Sequence, residues 1–305
     1  MRRYRWLLGL LVFATFLRPA SAGTVAANML LLDAARAGDL IVAVGERGTI
    51  LRSADSGRTW QDAPSGTFAA LTAVAFAPDA RHGWAVGHDA TLLATDDAGA
   101  TWRRAWSGGS LELSFLDVCA LDAGHVIAVG AYGLFLETTD GGKRWTQRKV
   151  LADDMHLNRL SRGPDGTLYL AGERGTLLRS IDAGQTWTPL AAPYEGSFYG
   201  ILPLGPHTLL AYGLRGRLYR SSDDGETWEA IATPQPTLLA TALPLSDSVI
   251  VFAGQSRSFR VSRDGGHTVG AWDTPLTAAV AELLIAPDGG LIAFGEAGAT
   301  RLNPP

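Results

Sequence analysis

Short apolar runs separated by turn residues cover the chain from about residue 30 onward. Residues 71–106 are representative: LTAVAF and GWAVG are apolar runs separated by APDARH, and the runs TLLAT and TWRRAW follow after further turns. Runs of this length, bounded by Gly, Asp and Pro, predict a four-stranded antiparallel meander. No segment shows a helical period of apolar residues. The pattern therefore predicts an all-β chain.

This unit repeats along the chain at a nearly constant period. Its clearest marker is an eight-residue box, which reads SADSGRTW at residues 53–60 and returns as TDDAGATW, TTDGGKRW, SIDAGQTW, SSDDGETW and SRDGGHTV. The aspartates of these boxes, for which we predict a structural role, are Asp55, Asp97, Asp140, Asp182, Asp223 and Asp264. They lie 41 to 43 residues apart, and a glycine that closes an apolar run stands ten residues before each one. A seventh such run ends at Gly295, so the chain contains seven units.

Seven units of four strands each predict a β-propeller, because a propeller blade is a four-stranded sheet of about 40 to 45 residues. We expect one domain over residues 23–305, a seven-bladed propeller of four-stranded antiparallel blades. The box is predicted to form the turn between the third and fourth strands, with the aspartate accepting backbone N–H groups and the glycine supplying positive φ. The tryptophan that ends five of the boxes is expected to lie between neighbouring blades.

Closure of the ring needs a separate prediction, because no seventh box follows Gly295. We expect residues 24–27 to supply the outer strand of the last blade. Residues 28–32 are then predicted to form the inner strand of the first blade.

The first 22 residues have the pattern of a signal peptide. Arginines precede the apolar run WLLGLLVFATFL, and the small residues ASA stand just before Gly23. The run is shorter than the roughly 20 residues that a membrane-spanning helix needs, so we expect cleavage rather than anchoring. Cys119 is the only cysteine, which excludes a disulfide framework and a lipidated cysteine near the cleavage site. The predicted location is the periplasm or the medium, with no membrane-spanning segment after cleavage.

The charge and the histidines exclude several classes of function. The leader contains four arginines and no acid, so its removal changes the formal net charge from −4 to −8. A mildly acidic chain without a basic run argues against nucleic acid as a partner. The six histidines are scattered without the spacing of metal ligands, so neither a metal nor a cofactor is expected. We also expect a monomer.

The boxes and the phrases that precede them resemble a known family. The boxes have the form S-x-D-x-G-x-[TS]-W, and they accompany the phrases VAVGERGTILRS, LAGERGTLLRS and WAVGHDATLLAT. Together these resemble the photosystem II stability/assembly factor family and its bacterial relatives, over nearly the whole mature chain. The resemblance implies a non-enzymatic seven-bladed scaffold in the lumen or periplasm. Such a scaffold binds a protein partner and assists the assembly or stability of a membrane complex.

Two alternatives stay open because sialidases and some glucanases share the Asp-box. One is a glycoside hydrolase of sialidase or glucanase type, and the other is a carbohydrate-binding propeller without catalysis. The sialidase signature F-R-I-P is absent near the start of the chain. Its closest string, SFRVS at residues 258–262, fills the slot that LLRS or LYRS fills in other blades. A glucanase needs an acid and a base across a cleft, and nothing in the sequence singles out two of the loop acids. We therefore assign no catalytic residue.

The predicted binding surface is the face opposite the boxes, where the turns between second and third strands open. Three arginines share one position of this turn, which suits bidentate recognition of a carboxylate on a partner. The alternative is that each arginine pairs with a nearby glutamate, such as Glu46 or Glu173, and only holds its turn. The candidate partner-binding residues on these turns and on the links between blades are Arg47, Arg174, Arg215, His88, Asp89, Tyr132, His156, Phe198 and Tyr199.

Overall fold

Seven antiparallel sheets follow one another along residues 29–305, the part of the chain that the computed structural model describes. In blades 1 to 3 the strands are β1 Leu31–Ala37, β2 Leu40–Gly45, β3 Ile50–Ser53 and β4 Gln61–Asp62; β5 Leu71–Phe76, β6 Gly83–Gly87, β7 Leu92–Thr95 and β8 Arg103–Arg104; β9 Phe115–Ala120, β10 Val126–Gly130, β11 Phe135–Thr138 and β12 Thr146–Gln147. In blades 4 to 6 they are β13 Leu157–Arg162, β14 Leu168–Gly172, β15 Leu177–Ser180 and β16 Thr188–Pro189; β17 Phe198–Pro203, β18 Leu209–Gly213, β19 Leu218–Ser221 and β20 Glu229–Ile231; β21 Leu239–Pro244, β22 Ile250–Gly254, β23 Arg260–Ser262 and β24 Gly270–Ala271. Blade 7 contains β25 Val280–Ile285, β26 Leu291–Gly295 and β27 Gly298–Leu302.

Each blade is a meander in which successive strands pair with one another. The predicted seven-bladed propeller is therefore confirmed. The only helical segments in residues 29–305 are three short 3₁₀ turns, Glu46–Gly48, Ala131–Gly133 and Leu214–Gly216. None of the helical segments in this range is long and apolar enough to cross a membrane.

The second strand of each blade forms the middle of the core, because it lies between two strands of its own sheet and between neighbouring blades. From β6 onward these strands are buried at every position. Each second strand ends at the repeated glycine, which lies directly opposite the first residue of the paired inner strand. A Cβ at Gly45 would lie 2.1 Å from the carbonyl oxygen of Leu30. The glycine is needed because the two backbones approach so closely.

The Asp-box forms the turn after the third strand, as predicted. In the second box, Asp97 Oδ1 accepts the Thr95 hydroxyl at 2.8 Å and the Thr101 N–H at 2.9 Å, while Asp97 Oδ2 accepts the Thr101 hydroxyl at 2.6 Å. The same bonds recur at the other boxes that end in Thr-Trp or Thr-Val. The hydroxyl bond lowers the pKa of these aspartates to about 2.

The third box departs from this pattern. Arg144 stands where the other boxes have threonine, so Asp140 accepts the Arg144 N–H at 2.9 Å without a second bond from a hydroxyl of that residue. The pKa of Asp140 is also lowered, chiefly by this backbone bond.

The box tryptophans pack between blades, as predicted. Trp60 of blade 1 meets Phe294 of blade 7 edge to face at 5.9 Å, and Trp187 of blade 4 meets Phe135 of blade 3 at 6.0 Å. Each indole thus contacts the preceding blade. These contacts belong to the apolar clusters that fill the spaces between blades.

The expected closure of the ring needs correction. The inner strand of blade 1 is Leu31–Ala37 rather than residues 28–32, because its pairing with β2 continues to Ala37, which lies opposite Leu40. Blade 7 has three strands in the described range, and residues 24–27, to which we assigned its fourth strand, lie outside that range. Blades 7 and 1 meet through side chains, including an ion pair of 2.6 Å between Arg58 and Asp288.

Candidate partner-binding face

The turns that open opposite the boxes share one geometry in six blades. In blade 1 the Thr49 N–H donates to the Glu46 carbonyl at 3.0 Å, and the two residues between them, Arg47 and Gly48, have φ of 54° and 70°. Two successive positive φ values define a type I′ turn, whose twist matches that of the strands it joins. The first of the two central residues stands at the tip and is exposed. The tip residues of blades 1 to 6 are Arg47, Asp89, Tyr132, Arg174, Arg215 and Ser256.

The glutamates beside these tips are engaged by the backbone. Glu46 Oε1 accepts the Leu30 N–H at 3.3 Å, and Glu173 Oε2 accepts the His156 N–H at 3.1 Å. Each glutamate thereby fixes the chain where it enters the inner strand. Within residues 29–305, no carboxylate lies within 4.0 Å of a guanidinium nitrogen of the three tip arginines. The structure thus does not contain the glutamate pairing that was the alternative to binding.

The arginines are spread around the ring rather than gathered in one cluster. Arg174 and Arg215 stand on the adjacent blades 4 and 5, whereas Arg47 stands on blade 1, three blades from either. Two exposed arginines that the sequence analysis missed extend the pair. Arg217 follows Arg215 by two residues, and Arg257 is the second central residue of the blade 6 turn, with φ of 59°. Arg174, Arg215, Arg217 and Arg257 form a basic arc over blades 4 to 6.

A groove with an aromatic wall borders the basic arc. Its volume is about 650 Å³, and its lining includes Arg215, Pro193 and Tyr194. The Arg217 guanidinium carbon lies 5.5 Å from the centre of the Tyr194 ring, within the range of a cation–π contact. Exposed guanidinium groups beside an aromatic surface can bind a carboxylate and pack an adjacent apolar group.

A second pair of predicted residues meets at the junction of blades 3 and 4. The rings of Tyr132 and His156 contact edge to face with centroids 4.9 Å apart, and His156 Nδ1 lies 3.5 Å from Glu173 Oε1. Tyr132 is 70% exposed, so most of its ring is available to a partner. On blade 2, His88 and Asp89 are exposed, and His88 Nδ1 lies 3.0 Å from the Ser114 hydroxyl.

One predicted contact residue is wrong. Phe198 is fully buried as the first residue of β17, where it packs against Tyr194 and Tyr219 with centroids 6.1 Å apart in each pair. It has the position of Leu31 and Leu157 in other blades, which are also fully buried. Its neighbour Tyr199 is half-buried. Both residues lie in β17 rather than on the inter-blade link, so the prediction placed the end of that link two residues too late.

The described residues offer little for metal or hydrolytic chemistry. Among residues 29–305, no group of three or more His, Cys, Asp or Glu side chains is placed to hold a metal ion. Arg260, the arginine of the sialidase-like string, is only 4% exposed and lies in the third strand of blade 6. It therefore cannot grip a substrate carboxylate in an open cleft. Burial raises the pKa of the Cys119 thiol to about 12, so this cysteine is not activated.

The sequence model of the Photosynthesis system II assembly factor YCF48 family matches residues 105–268, which is more than half of the chain. The chain belongs to this family. A curated relative, the Photosystem II assembly lipoprotein Ycf48 of Synechococcus sp. (strain CC9902), is 38% identical over 79 residues. That match covers 25% of this chain and 23% of the relative, so it spans about a quarter of the relative's own length.

Solved structures extend the likeness in fold to nearly the whole described chain. YCF48 bound to D1 peptide superposes with a TM-score of 0.76 and 21% identity, covering 92% of this chain and 96% of that one. YCF48 from Cyanidioschyzon merolae gives a TM-score of 0.73 at 18% identity over the same shares of the two chains. The GH74 xyloglucanase from Xanthomonas campestris gives 0.63 at 19% identity and covers 84% of this chain but 49% of that one. At these identities, the matches show the fold alone.

Proposed function

We propose that this protein is a non-enzymatic periplasmic scaffold that binds a protein partner, a membrane complex or one of its subunits, and assists its assembly or stability. The binding surface is the face of the turn tips, centred on Arg174 and Arg215, with Arg47 as a separate contact. His88, Asp89, Tyr132, His156 and Tyr199 are further candidate contacts of this face. Phe198 is left out because it is buried.

The exposed tip arginines carry this proposal. Within the described residues they have no carboxylate partner, and the glutamates that would hold them are engaged by backbone N–H groups. An arginine at a turn tip adds nothing to the core, yet arginine occupies this position on three of the blades. Such groups match a planar carboxylate bidentately. Family membership supports a role in assembly, and the solved relative carries a D1 peptide according to its description.

The test is a triple variant, Arg47→Gln, Arg174→Gln and Arg215→Gln, used as bait in a crosslinked pull-down from membranes. Exposed turn residues alter stability by only about 0.5 kcal/mol, so the melting midpoint should stay close to that of the wild type. Recovery of the membrane partner should fall at least about tenfold, since arginines at an interface centre commonly contribute about 2 kcal/mol or more. A stable variant that still recovers the partner would refute the site.

A matched control removes three arginines elsewhere. Arg103 and Arg104 lie on the exposed outer strand of blade 2, and Arg263 lies in the last box on the opposite face. Their replacement by glutamine changes the net charge equally. This control should recover the partner as well as the wild type does. If the control loses as much of the partner as the triple variant, net charge alone explains the loss.

Export is part of the same proposal, and residues 1–28, which carry it, lie outside the described range. The relative's description as a lipoprotein supports export of the family. Mass spectrometry of the periplasmic fraction should find a chain that starts at Gly23. A soluble cytoplasmic form that retains Met1 would contradict this location.

A further inference from the structure

Charged side chains lie where the inner strands surround the axis of the ring. The first residue of every inner strand lies opposite the repeated glycine, and the strand pairing is irregular just after it. The third residue of the strand resumes the regular pairing. In blades 1 to 7 the residues at this position are Asp33, Ala73, Asp117, Arg159, Gly200, Thr241 and Glu282. Three carboxylates and one guanidinium therefore share the channel, and each carboxylate stands within a largely apolar strand.

An ion pair spans this channel. Arg159 Nη2 of blade 4 donates to Glu282 Oε2 of blade 7, on the opposite side of the ring. Glu282 Oε1 also accepts the Thr241 hydroxyl at 2.8 Å and the Leu283 N–H at 2.9 Å. The glutamate is 7% exposed, so these bonds form away from bulk water. The pair therefore ties blades 4 and 7 together directly.

The two aspartates connect neighbouring blades. Asp33 Oδ2 accepts the Val74 N–H of blade 2 at 2.8 Å, and Asp117 Oδ2 accepts the Leu160 N–H of blade 4 at 2.6 Å. In residues 29–305 neither carboxylate has a cationic nitrogen within 4.0 Å. When all three acids are ionised, the channel holds three negative charges against one positive charge.

The surroundings oppose full ionisation. Burial, followed by the charge of Glu282, raises the pKa of Asp33 well above its usual range. Burial raises the pKa of Asp117 to about 6, although Arg159 counteracts it. For Arg159 itself, burial acts to lower the pKa, but Glu282 and the other anions outweigh it and raise the pKa.

The other groups around the channel do not supply a compensating charge. Burial raises the pKa of the Tyr212 phenol to about 12, so it stays neutral, as does the Cys119 thiol near Asp117. The inner strands of blades 2, 5 and 6 present Ala73, Gly200 and Thr241 at this position.

We propose that the axis of the ring is a proton-binding clasp. With a proton bound on Asp33 or Asp117, the Arg159–Glu282 pair holds the ring across its channel. Without that proton, Asp33 and Glu282 repel each other. They stand on adjacent inner strands of blades 1 and 7, whose junction joins the two ends of the described chain. Deprotonation therefore loosens this junction first.

The direction of the pH effect follows from the raised pKa values. An acid whose pKa is raised by folding stabilises the fold fully below its unfolded pKa, near 3.8, and loses that contribution as pH rises through the folded pKa. For Asp117 this window runs from about 4 to about 6, and the contribution of Asp33 is likewise lost as pH rises above its unfolded pKa. The junction should thus be tighter at pH 5.5 than at pH 8.

Hydrogen exchange of the full chain, read by mass spectrometry at pH 5.5 and pH 8 and corrected for intrinsic rates, tests the clasp. Segments 31–45 and 280–302 should exchange about tenfold faster at pH 8, since one proton can change an opening constant tenfold per pH unit. Segment 168–180 in blade 4 should change less. Asp33→Asn, which is neutral at both pH values, should remove most of the difference in segments 31–45 and 280–302, although Asp117 still titrates. Asp62→Asn, on an exposed outer strand, should keep it.

Two outcomes would overturn the clasp. One is an Asp33→Asn variant with the wild-type pH response, and the other is a response spread evenly over all blades. Should Asp33→Asn not fold, Glu282→Gln gives a second test, because removing this anion should lower the pKa of Asp33 and reduce the change between pH 5.5 and pH 8. An Asp33 carboxyl that titrates below pH 5 in the wild type, followed by carbon NMR, also contradicts the proposal.

Discussion

Arg301, in the last strand of blade 7, donates a hydrogen bond to the backbone carbonyl of Ser56, the residue after the aspartate of the first box. Equivalent bonds join blades elsewhere in the ring. Arg52 donates to the Ala98 carbonyl at 3.2 Å, and Arg220 donates to the Gly265 carbonyl at 3.4 Å. The ends of the described chain are therefore joined by the same contact that joins neighbouring blades within the ring.

Arg301→Leu should weaken this junction. The variant loses the bond to Ser56 and the ion pair of 3.1 Å with Asp288, and it leaves a carbonyl without its donor. Because the arginine side chain is 33% exposed, we expect a loss of about 1–2 kcal/mol in the free energy of unfolding. Urea unfolding gives the value. Arg52→Leu should cost less, because Arg52 makes no ion pair among residues 29–305. An unchanged midpoint for Arg301→Leu would contradict a role of Arg301 in joining blades 7 and 1.

The boxes differ in how many bonds their aspartate accepts, which permits a matched comparison. Asp97→Ala removes the acceptor of both the N–H and the hydroxyl of Thr101, and we expect a loss on the order of 1–3 kcal/mol. Asp140→Ala should cost less, since Arg144 offers only its N–H to that carboxylate. Thermal melting of the two variants ranks the costs. Equal costs would show that the threonine hydroxyl contributes nothing.

Acid should unfold the protein through the boxes. The pKa of Asp97 is lowered to about 2, first by the Thr101 hydroxyl, so its contribution is present above the ordinary value of 3.8 and is lost as pH falls from about 4 toward 2. Thr101→Val removes that bond and should move the acid-unfolding midpoint to higher pH, as followed by circular dichroism. Stability at pH 6 should change less. An unmoved acid midpoint would argue against the boxes as its cause.

Arg260 has the position that Leu51, Leu93 and Leu178 occupy in other blades, and its buried Nε has no partner among the described residues. Burial lowers the pKa of its guanidinium. Arg260→Leu loses the bond that Nη1 donates to the Phe259 carbonyl at 2.8 Å, but it removes the unsatisfied Nε from the core, so it should raise the free energy of unfolding by about 1 kcal/mol. Denaturant unfolding measures the gain. Arg217→Leu, at an exposed position, should stay within about 0.5 kcal/mol of the wild type.

The fold could be predicted because each blade repeats the same strands and turns. The offset between Gly87 and Asp97 recurs in every unit with a box, so one turn and one strand pair can be recognised at each repeat. The tip position of Arg174 followed from the same offset. The prediction of Phe198 as a contact residue failed because it needed the exact start of an inner strand. A large apolar residue begins the inner strand in every blade, and Phe198 is that residue in blade 5.

The channel charges were missed for a different reason. Asp33 and Glu282 are about 250 residues apart in sequence, and their meeting follows only from closure of the ring. An acid inside an apolar strand such as VAELLI was a usable signal, since such residues are seldom buried without a partner. The separation of Arg47 from Arg174 and Arg215 likewise follows only from the order of the blades around the closed ring.

On the proposed binding face, the type I′ turns separate the exposed side chains from the parts that fold the blades. At each tip the backbone bond, such as that from Thr176 to Glu173, holds the turn, and the tip side chain takes no part in the core. Arginine, aspartate, tyrosine and serine all occupy this position within one chain. The proposed binding face is therefore a set of six positions that mutation can alter one at a time, so its side chains can change during evolution while the seven blades keep their packing.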